Sequence, residues 1–432
     1  MATPRTAALI SLGCSKNLAD SEDLVTALKS VDFSLTKDLA AADLVLVNTC
    51  GFIEGAKRES IDHILKAAEE RKPGAKLFVA GCLTERYVDD LTNEIPEVDQ
   101  WLVFKDYDRF PAVLKKHFPD IRTHRLRHDQ RSQLTPPHYA FLKIAEGCDN
   151  TCNFCAIPLF RGKHVSRPEA DLVKQAKTYA ERGVKEINLI SQHLDYYGKD
   201  LYGEYRLPEL VRKIAKAAPE SWIRLHYCYP NDFSDELIAT MAELPNVVKY
   251  VDMPIQHGAD RMLATMGRRT TRAHISERLN RIRAAMPDVV LRSTFIVGFP
   301  GERDQDFAEL LDFLDEQRFD AVGAFTYSDE EDTTAAKMPN KIAPEVMAER
   351  HAELMKKQKA WHKAKSKRWI GQEMTVLVDE QRDFGSFSCR HYGQAHEVDP
   401  VTIVDSEVAS VGDWMRVRIT GTKGYDLIAE PA

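Results

Sequence analysis

The stretch Ala140-Phe141-Leu142-Lys143-Ile144-Ala145-Glu146-Gly147-Cys148-Asp149-Asn150-Thr151-Cys152-Asn153-Phe154-Cys155 decides the reading. It opens as an apolar strand, Ala140–Ala145, and runs into a loop with three thiols at C-x3-C-x2-C spacing. Three thiolates on one loop can ligate three irons of a cubane 4Fe–4S cluster and leave the fourth iron without a protein ligand. An open coordination position is what catalytic metal sites keep for substrate or cofactor. The alternative is zinc, which usually takes four ligands, commonly as two pairs. His164 is the available fourth donor, but it stands nine residues past Cys155, outside any knuckle pattern.

Working outward, further strands are expected at Glu186–Ser191, Trp222–Tyr227, Val248–Met253, Val289–Val297 and Asp320–Tyr327, with helices between them such as Leu207–Ala217 and Asp304–Gln317. Six strand–helix units predict a partial (β/α)6 barrel whose active site lies at the C-terminal ends of its strands. Upstream, strands at Ala7–Leu12, Leu44–Val47 and Lys76–Ala80 alternate with helices, one over Ser21–Ser30 and one running to about Lys72. This predicts a Rossmann-like parallel α/β domain. Cys14, Cys50 and Cys82 each follow one of these strands, 36 and 32 residues apart, about one strand–helix–strand repeat. Strand ends of a parallel sheet share one edge, so three distant thiols can converge there. The competing reading is three small buried residues.

Residues 121–137 read as a polar linker without period, carrying Arg122, His124, Arg125, Arg127, His128, Arg131 and Pro136-Pro137. The expected organisation is 1–120, the linker, a core over 138–365 and a terminal domain over 366–432. Pro344–Arg368 reads as a helix with a basic half, and short strands at Met374–Val378, Phe384–Arg390, Thr402–Val404, Trp414–Thr420 and Asp426–Ala429 predict a small β-barrel. The 432 residues are 44% hydrophobic and 29% charged, with 59 Lys plus Arg against 66 Asp plus Glu, a net charge of −7. Such a chain is a poor dedicated duplex binder. No apolar run approaches the ~20 residues of a membrane span, and the Ala7–Leu12 stretch is too short for a signal-peptide core. A cytoplasmic protein with reduced thiols is expected, so eight cysteines point to metal or redox chemistry. Cys228 and Cys389 read as packing residues.

The cysteine motif, with an aromatic residue before its last thiol, resembles the radical S-adenosylmethionine superfamily. Gly13-Cys14-Ser15-Lys16-Asn17, Asp20-Ser21-Glu22, Asn48-Thr49-Cys50, Gly81-Cys82 and Cys155-Ala156-Ile157-Pro158 with Arg161-Gly162 narrow this to the methylthiotransferases, and the terminal barrel resembles their TRAM domain. The resemblance covers nearly the whole chain. It implies two 4Fe–4S clusters. Cys148, Cys152 and Cys155 would hold the one that cleaves S-adenosylmethionine to a deoxyadenosyl radical. Cys14, Cys50 and Cys82 would hold the one that carries the inserted sulfur, and a second S-adenosylmethionine would supply the methyl group. It places S-adenosylmethionine beside the segment Ser293–Glu302, with Phe154, Gly298 and Gln256 as cofactor-binding residues. It assigns no catalytic residue beyond the cluster ligands. Gln192-His193 departs from the family's usual Gln-Asp, and no role is carried over to His193.

Within the family, one branch methylthiolates an aspartate β-carbon of small-subunit ribosomal protein S-twelve and another modifies transfer-RNA adenosine. Gly51-Phe52-Ile53 after Cys50 resembles the first branch. In residues 369–432 five cations face eleven anions. An acidic domain suits a basic ribosomal protein and opposes RNA. Asp379, Glu380 and Asp383, around an expected turn, are the first candidates for that contact. The implied partners are the ribosomal protein, an electron donor and a sulfur donor, with no membrane. Direct nucleic-acid contact is expected only through the basic helix 356–368. A non-catalytic metal-binding module associated with the ribosome is the remaining rival.

Overall fold

Leu44 to Thr49 is buried at every position, the pattern of a strand covered on both faces of a parallel sheet. In the computed structural model, which describes residues 5–122, 131–383 and 385–432, this segment is the central strand of the first of two compact units. That unit spans Met1–Pro136 with Ala156–Lys163; the second spans Pro137–Cys155 with His164–Ala432. Of the expected linker, His124, Arg125, Arg127 and His128 lie outside the described residues, as does Phe384.

The first unit holds five parallel strands: β1 (Arg5–Ser11), β2 (Phe33–Thr36), β3 (Leu44–Thr49), β4 (Lys76–Gly81) and β5 (Gln100–Leu102), in the order β2-β1-β3-β4-β5. Leu24 and Leu28 of the helix Ser15–Lys29 pack on one face, with Phe110 and Leu114. Ile64 and Ala67 of the helix Glu54–Glu70 pack on the other, with Leu83 and Leu91. This is the expected Rossmann-like domain with two short edge strands added. The first helix begins at Ser15 and not Ser21, and the buried residues of its first half, Lys16, Asn17, Asp20, Ser21 and Glu22 among them, are mostly polar. Asn48 Nδ2 donates to Asn17 O at 2.8 Å and to Ser21 Oγ at 2.7 Å, and Glu22 pairs with Arg131 at 3.1 Å. Arg131, expected in a polar linker, is therefore buried against this helix.

The second unit opens with β6 (Tyr139–Lys143), β7 (Ala145–Glu146) and β8 (Val165–Ser166), followed by β9 (Glu186–Ile190), β10 (Trp222–Leu225), β11 (Tyr250–Asp252), β12 (Val290–Val297) and β13 (Ala321–Thr326). Two three-stranded parallel sheets, β10-β9-β6 and β11-β12-β13, meet through a parallel bridge between Ile223 and Val247. The strands run in the order β6-β9-β10-β11-β12-β13, the expected partial barrel. The helices Leu207–Ala217 and Asp304–Gln317 fall where expected. β14 (Glu373–Asp383), β15 (Ser386–His391), β16 (Thr402–Asp405), β17 (Trp414–Lys423) and β18 (Asp426–Pro431) close the small terminal barrel in the order β14-β15-β16-β18-β17. Cys228 and Cys389 are buried in apolar clusters. Among the described residues no helix is long and apolar enough to cross a membrane.

The terminal barrel packs on the N-terminal ends of the partial barrel's strands. Glu186, the first residue of β9, receives Arg224 at 2.7 Å and Arg390 at 2.6 Å, all three fully buried. Arg390 also pairs with Asp379 at 2.6 Å, and His138 meets Asp379 at 3.0 Å. Tyr250 donates its hydroxyl to Asp399 at 2.6 Å. Asp379 is thus corrected from a surface anion to a buried anchor, 8% exposed; Glu380 and Asp383 remain exposed. Burial pushes the Glu186 carboxyl up, but Arg390 and Arg224 overcome it and hold it below its ordinary value. The stability it contributes is present at neutral pH, above the unfolded value near ~4.3, and is lost as pH falls toward the depressed folded value.

Glu186→Gln leaves two arginines buried against a neutral group. It is expected to destabilise the chain by about 3–5 kcal/mol at pH 7 in urea unfolding, and to cost less as the pH is lowered below about 4. A loss under about 1 kcal/mol at pH 7 would mean the network is relaxed by water.

Candidate active site

In a sheet of order 2-1-3-4-5 the winding reverses between the first and third strands, and ligands bind outside the carboxyl ends there. Cys14 follows β1 as the N-cap of the helix Ser15–Lys29, Cys50 follows β3, and Cys82 follows β4 as the first residue of the helix Cys82–Glu94. The thiols are exposed, half-buried and buried, in that order. Gly13 has φ 85°, and a Cβ there would lie 2.8 Å from the Cys50 Cβ and 3.1 Å from its Sγ. Only glycine lets the β1 loop come this close to Cys50. Ser60 Oγ accepts from the Cys50 N–H at 3.0 Å and donates to its carbonyl at 2.9 Å, fixing that loop. Burial pushes the Cys82 thiol up to about 12, and Arg161 opposes this.

Arg161 ends the helix Ile157–Arg161, which packs in the first unit. It donates to Cys82 Sγ at 3.1 Å, pairs with Asp20 at 2.7 Å and reaches Asn17 Oδ1 at 3.3 Å. Asn17, Asp20 and Arg161, quoted above only as parts of a resemblance, are one buried network beside the Cys82 sulfur.

In the second unit Cys148, Cys152 and Cys155 share the loop after β7, all half-buried. Asn150 N–H donates to Cys148 Sγ at 3.4 Å, and Cys155 N–H to the Cys152 carbonyl at 3.0 Å. Arg268 donates to Cys152 Sγ at 3.7 Å. His193 lies against this loop: its Nδ1 is 3.0 Å from Asn150 Nδ2, and its Nε2 is 3.2 Å from Asp195 and 3.0 Å from Asp232. Burial opposes a charge on His193, yet Asp195, Asp232 and Cys148 raise its pKa to about 12. His193 thus sits at this strand end between the Asn150 amide and two carboxylates. His164, the alternative zinc donor, is buried with Nε2 3.2 Å from Ser166 Oγ. Among the described residues no three His, Cys, Asp or Glu side chains gather round a single ion. A cubane asks for something else, one thiolate on each of three irons. Each set offers three thiols with an arginine donor at one sulfur, and this donor set suits a cluster.

Phe154 packs edge-on against Phe299 at 6.4 Å. Gly298 has φ 74°, and a Cβ there would lie 2.1 Å from Met347 Cγ. Glu302 accepts from the N–H groups of Gly298 at 2.7 Å and Phe299 at 3.3 Å, while Arg350 pairs with it at 3.0 Å. Burial pushes its carboxyl up to about 7. Gly298 thus has a turn to make whatever else it touches. Gln256 follows β11 with φ 78°, its N–H donating to Thr294 O at 2.8 Å and its carbonyl accepting from Ile296 N–H at 2.9 Å. A left-handed non-glycine residue costs about 1–2 kcal/mol, and such residues gather at functional sites. His257 is fully buried and accepts from Ala259 N–H at 3.0 Å, a structural contact. Arg268, Asp195 and Asp232 were not anticipated, since no spacing in the sequence ties them to the cysteines.

Family profiles match three stretches of the chain: uncharacterized protein family UPF0004 over residues 6–103, the radical SAM superfamily over 142–314, and the TRAM domain over 370–431. The ribosomal protein uS12 methylthiotransferase RimO of Desulforamulus reducens is 43% identical over 438 residues, covering 98% of this chain and 99% of the relative. The chain belongs to the RimO family. The protein of the same description from Clostridioides difficile is 42% identical, with 98% of each chain covered. Among solved structures, the radical S-adenosylmethionine methyltransferase TsrM from Kitasatospora setae matches with a TM-score of 0.58 at 13% identity, covering 74% of this chain and 73% of that one. At that identity the likeness is one of fold. RimO relatives match from end to end, so both three-cysteine sets and the terminal barrel fall within the similarity.

Gly298→Ala is expected to lower stability by more than about 1 kcal/mol, from the left-handed backbone alone. Adding Met347→Ala should recover the steric part of the loss and leave the backbone part. Equal unfolding midpoints for Gly298→Ala and the parent chain would remove the turn requirement.

Proposed function

We propose that this chain methylthiolates the β-carbon of an aspartate in ribosomal protein uS12, with Cys148, Cys152 and Cys155 holding a radical-generating 4Fe–4S cluster and Cys14, Cys50 and Cys82 a second cluster for sulfur insertion. The observation that carries this is the pairing of two three-thiol sets, one at the carboxyl ends of the parallel strands β1, β3 and β4 and one on the loop after β7, with end-to-end similarity to RimO proteins. An unactivated C–H bond needs radical chemistry, which the reduced cluster supplies by cleaving S-adenosylmethionine.

The chain's own residues set the stage for that chemistry. The Cys148–Cys155 loop presents three thiolates in one short turn, and Asn150 N–H supports the first sulfur. Phe154, Gly298 and Gln256 border the S-adenosylmethionine site. Arg161 donates to Cys82 and holds the first helix through Asp20. The division at 1–120, 138–365 and 366–432 accommodates the three family matches. Exposed anions of the terminal barrel, Glu380 and Asp383 among them, suit a Lys/Arg-rich partner. An electron donor and a sulfur donor are required, and the cytoplasm, where ribosomal proteins work, is the compartment. On the basic helix, Lys357, Lys365 and Arg368 pair with Asp315 and Asp320, leaving Lys356, Lys359, Lys363 and Lys367 exposed for any nucleic-acid contact.

The test is an anaerobic reaction of the reconstituted chain with uS12 and S-adenosylmethionine, read by intact mass and by deoxyadenosine release. The parent chain is expected to add one methylthio group. Replacing Cys148, Cys152 and Cys155 by Ala should abolish both readouts. Replacing Cys14, Cys50 and Cys82 by Ala should keep deoxyadenosine release and lose the methylthio group. Methylthiolation of transfer RNA with uS12 unchanged would move the chain to the other branch.

A further inference from the structure

The segment Thr265–Arg268 lies against the cysteine loop of the second unit. Asn153 N–H donates to Met266 O at 2.9 Å and Asn153 Nδ2 to Thr265 O at 2.8 Å, while Ala335 N–H donates to the Asn153 carbonyl at 2.8 Å. The loop is pinned at its middle, and Arg268 follows directly. It is 7% exposed. One terminal nitrogen donates to Pro254 O at 2.5 Å, the other to Cys152 Sγ at 3.7 Å, and the guanidinium lies 4.0 Å from the centre of the Tyr229 ring. Its Nε is buried and has no hydrogen-bond partner among the described residues. None of the ion pairs among the described residues gives Arg268 a carboxylate. A buried guanidinium without an anion is costly. A cluster held by three thiolates is an anion.

We propose that Arg268 is a positioning residue of the radical-generating site: it pairs with the Cys152 sulfur and with the cluster bound there, and makes that cluster easier to reduce. The inference rests on the reading that Cys148, Cys152 and Cys155 hold the cluster. Reduction by one electron adds a negative charge to an already anionic group. A cation and N–H donor beside a ligand sulfur favours the reduced form more than the oxidised one, since net charge and hydrogen bonds to sulfur set the potential. Arg161, the arginine that donates to the Cys82 sulfur, is matched by Asp20 at 2.7 Å. Arg268 has no such carboxylate among the described residues.

The test uses the full chain with Cys14, Cys50 and Cys82 replaced by Ala, so that one cluster is read. Arg268→Gln and Arg268→Lys are compared with this parent in a redox titration followed by electron paramagnetic resonance. With iron content retained, Arg268→Gln is expected to shift the midpoint potential to more negative values, and Arg268→Lys to lie between it and the parent. Equal potentials for parent and Arg268→Gln, or an equal shift in both variants, overturns the proposal. A second measurement covers a Gln variant that fails to load. In the parent with nitrogen-labelled arginine, pulsed resonance of the reduced cluster should show an arginine nitrogen coupling that disappears in Arg268→Lys. Absence of that coupling overturns the proposal too. A parent that binds no cluster overturns the reading beneath it.

Discussion

Parallel strands deliver their carboxyl ends to one edge, and the convergence of Cys14, Cys50 and Cys82 depends on that constraint. Residues leaving the strand ends of a parallel sheet come together whatever their distance in sequence, provided the sheet is buried on both faces and its register is fixed. Leu46 faces Phe78 and Val47 faces Val79 in register, so the loops carrying Cys50 and Cys82 leave the sheet at the same height. In the second unit one loop carries all three thiols, and the strand order of the partial barrel sets what surrounds it. Residues of β9, β10 and β11 and their following loops supply His193, Asp195, Asp232 and Gln256 to that end.

The opposite end of the partial barrel is treated differently. There the terminal barrel covers the strand starts, and Glu186, Arg224, Arg390 and Asp379 form a closed set of buried charges. Each charge has a partner of opposite sign, the condition under which burial is tolerated. At the cysteine end, Arg268 lacks such a partner among the described residues, and Gln256 is held in a left-handed backbone. Charges are matched in sign at the closed end, whereas Arg268 and Gln256 break local rules at the open one, the pattern expected where function and not stability has set the residues.

Much of this was legible in the sequence for a physical reason. Leu44–Val47 and Lys76–Ala80 read as strands because doubly covered strands are continuous apolar runs, and the helices Leu207–Ala217 and Asp304–Gln317 because their apolar faces recur at helical spacing. The six cysteines were legible because each follows such a strand or sits in a tight motif. β2 and β5 were not, being short edge strands, and the start of the helix Ser15–Lys29 was hidden because the buried residues of its first turns are mostly polar. Asp379 read as a surface charge because nothing in a linear sequence reveals that Arg390 and His138 surround it. Arg268 was invisible for the same reason: it meets Cys152 across 116 residues of chain.

The central claim is that both strand-end sets are cluster sites. Anomalous diffraction at the iron edge, from crystals of the anaerobically reconstituted full chain, tests it most directly. Two iron peaks are predicted, one bounded by Cys14, Cys50 and Cys82 and the other by Cys148, Cys152 and Cys155. Iron at one set alone, or a zinc signal at either, would contradict it.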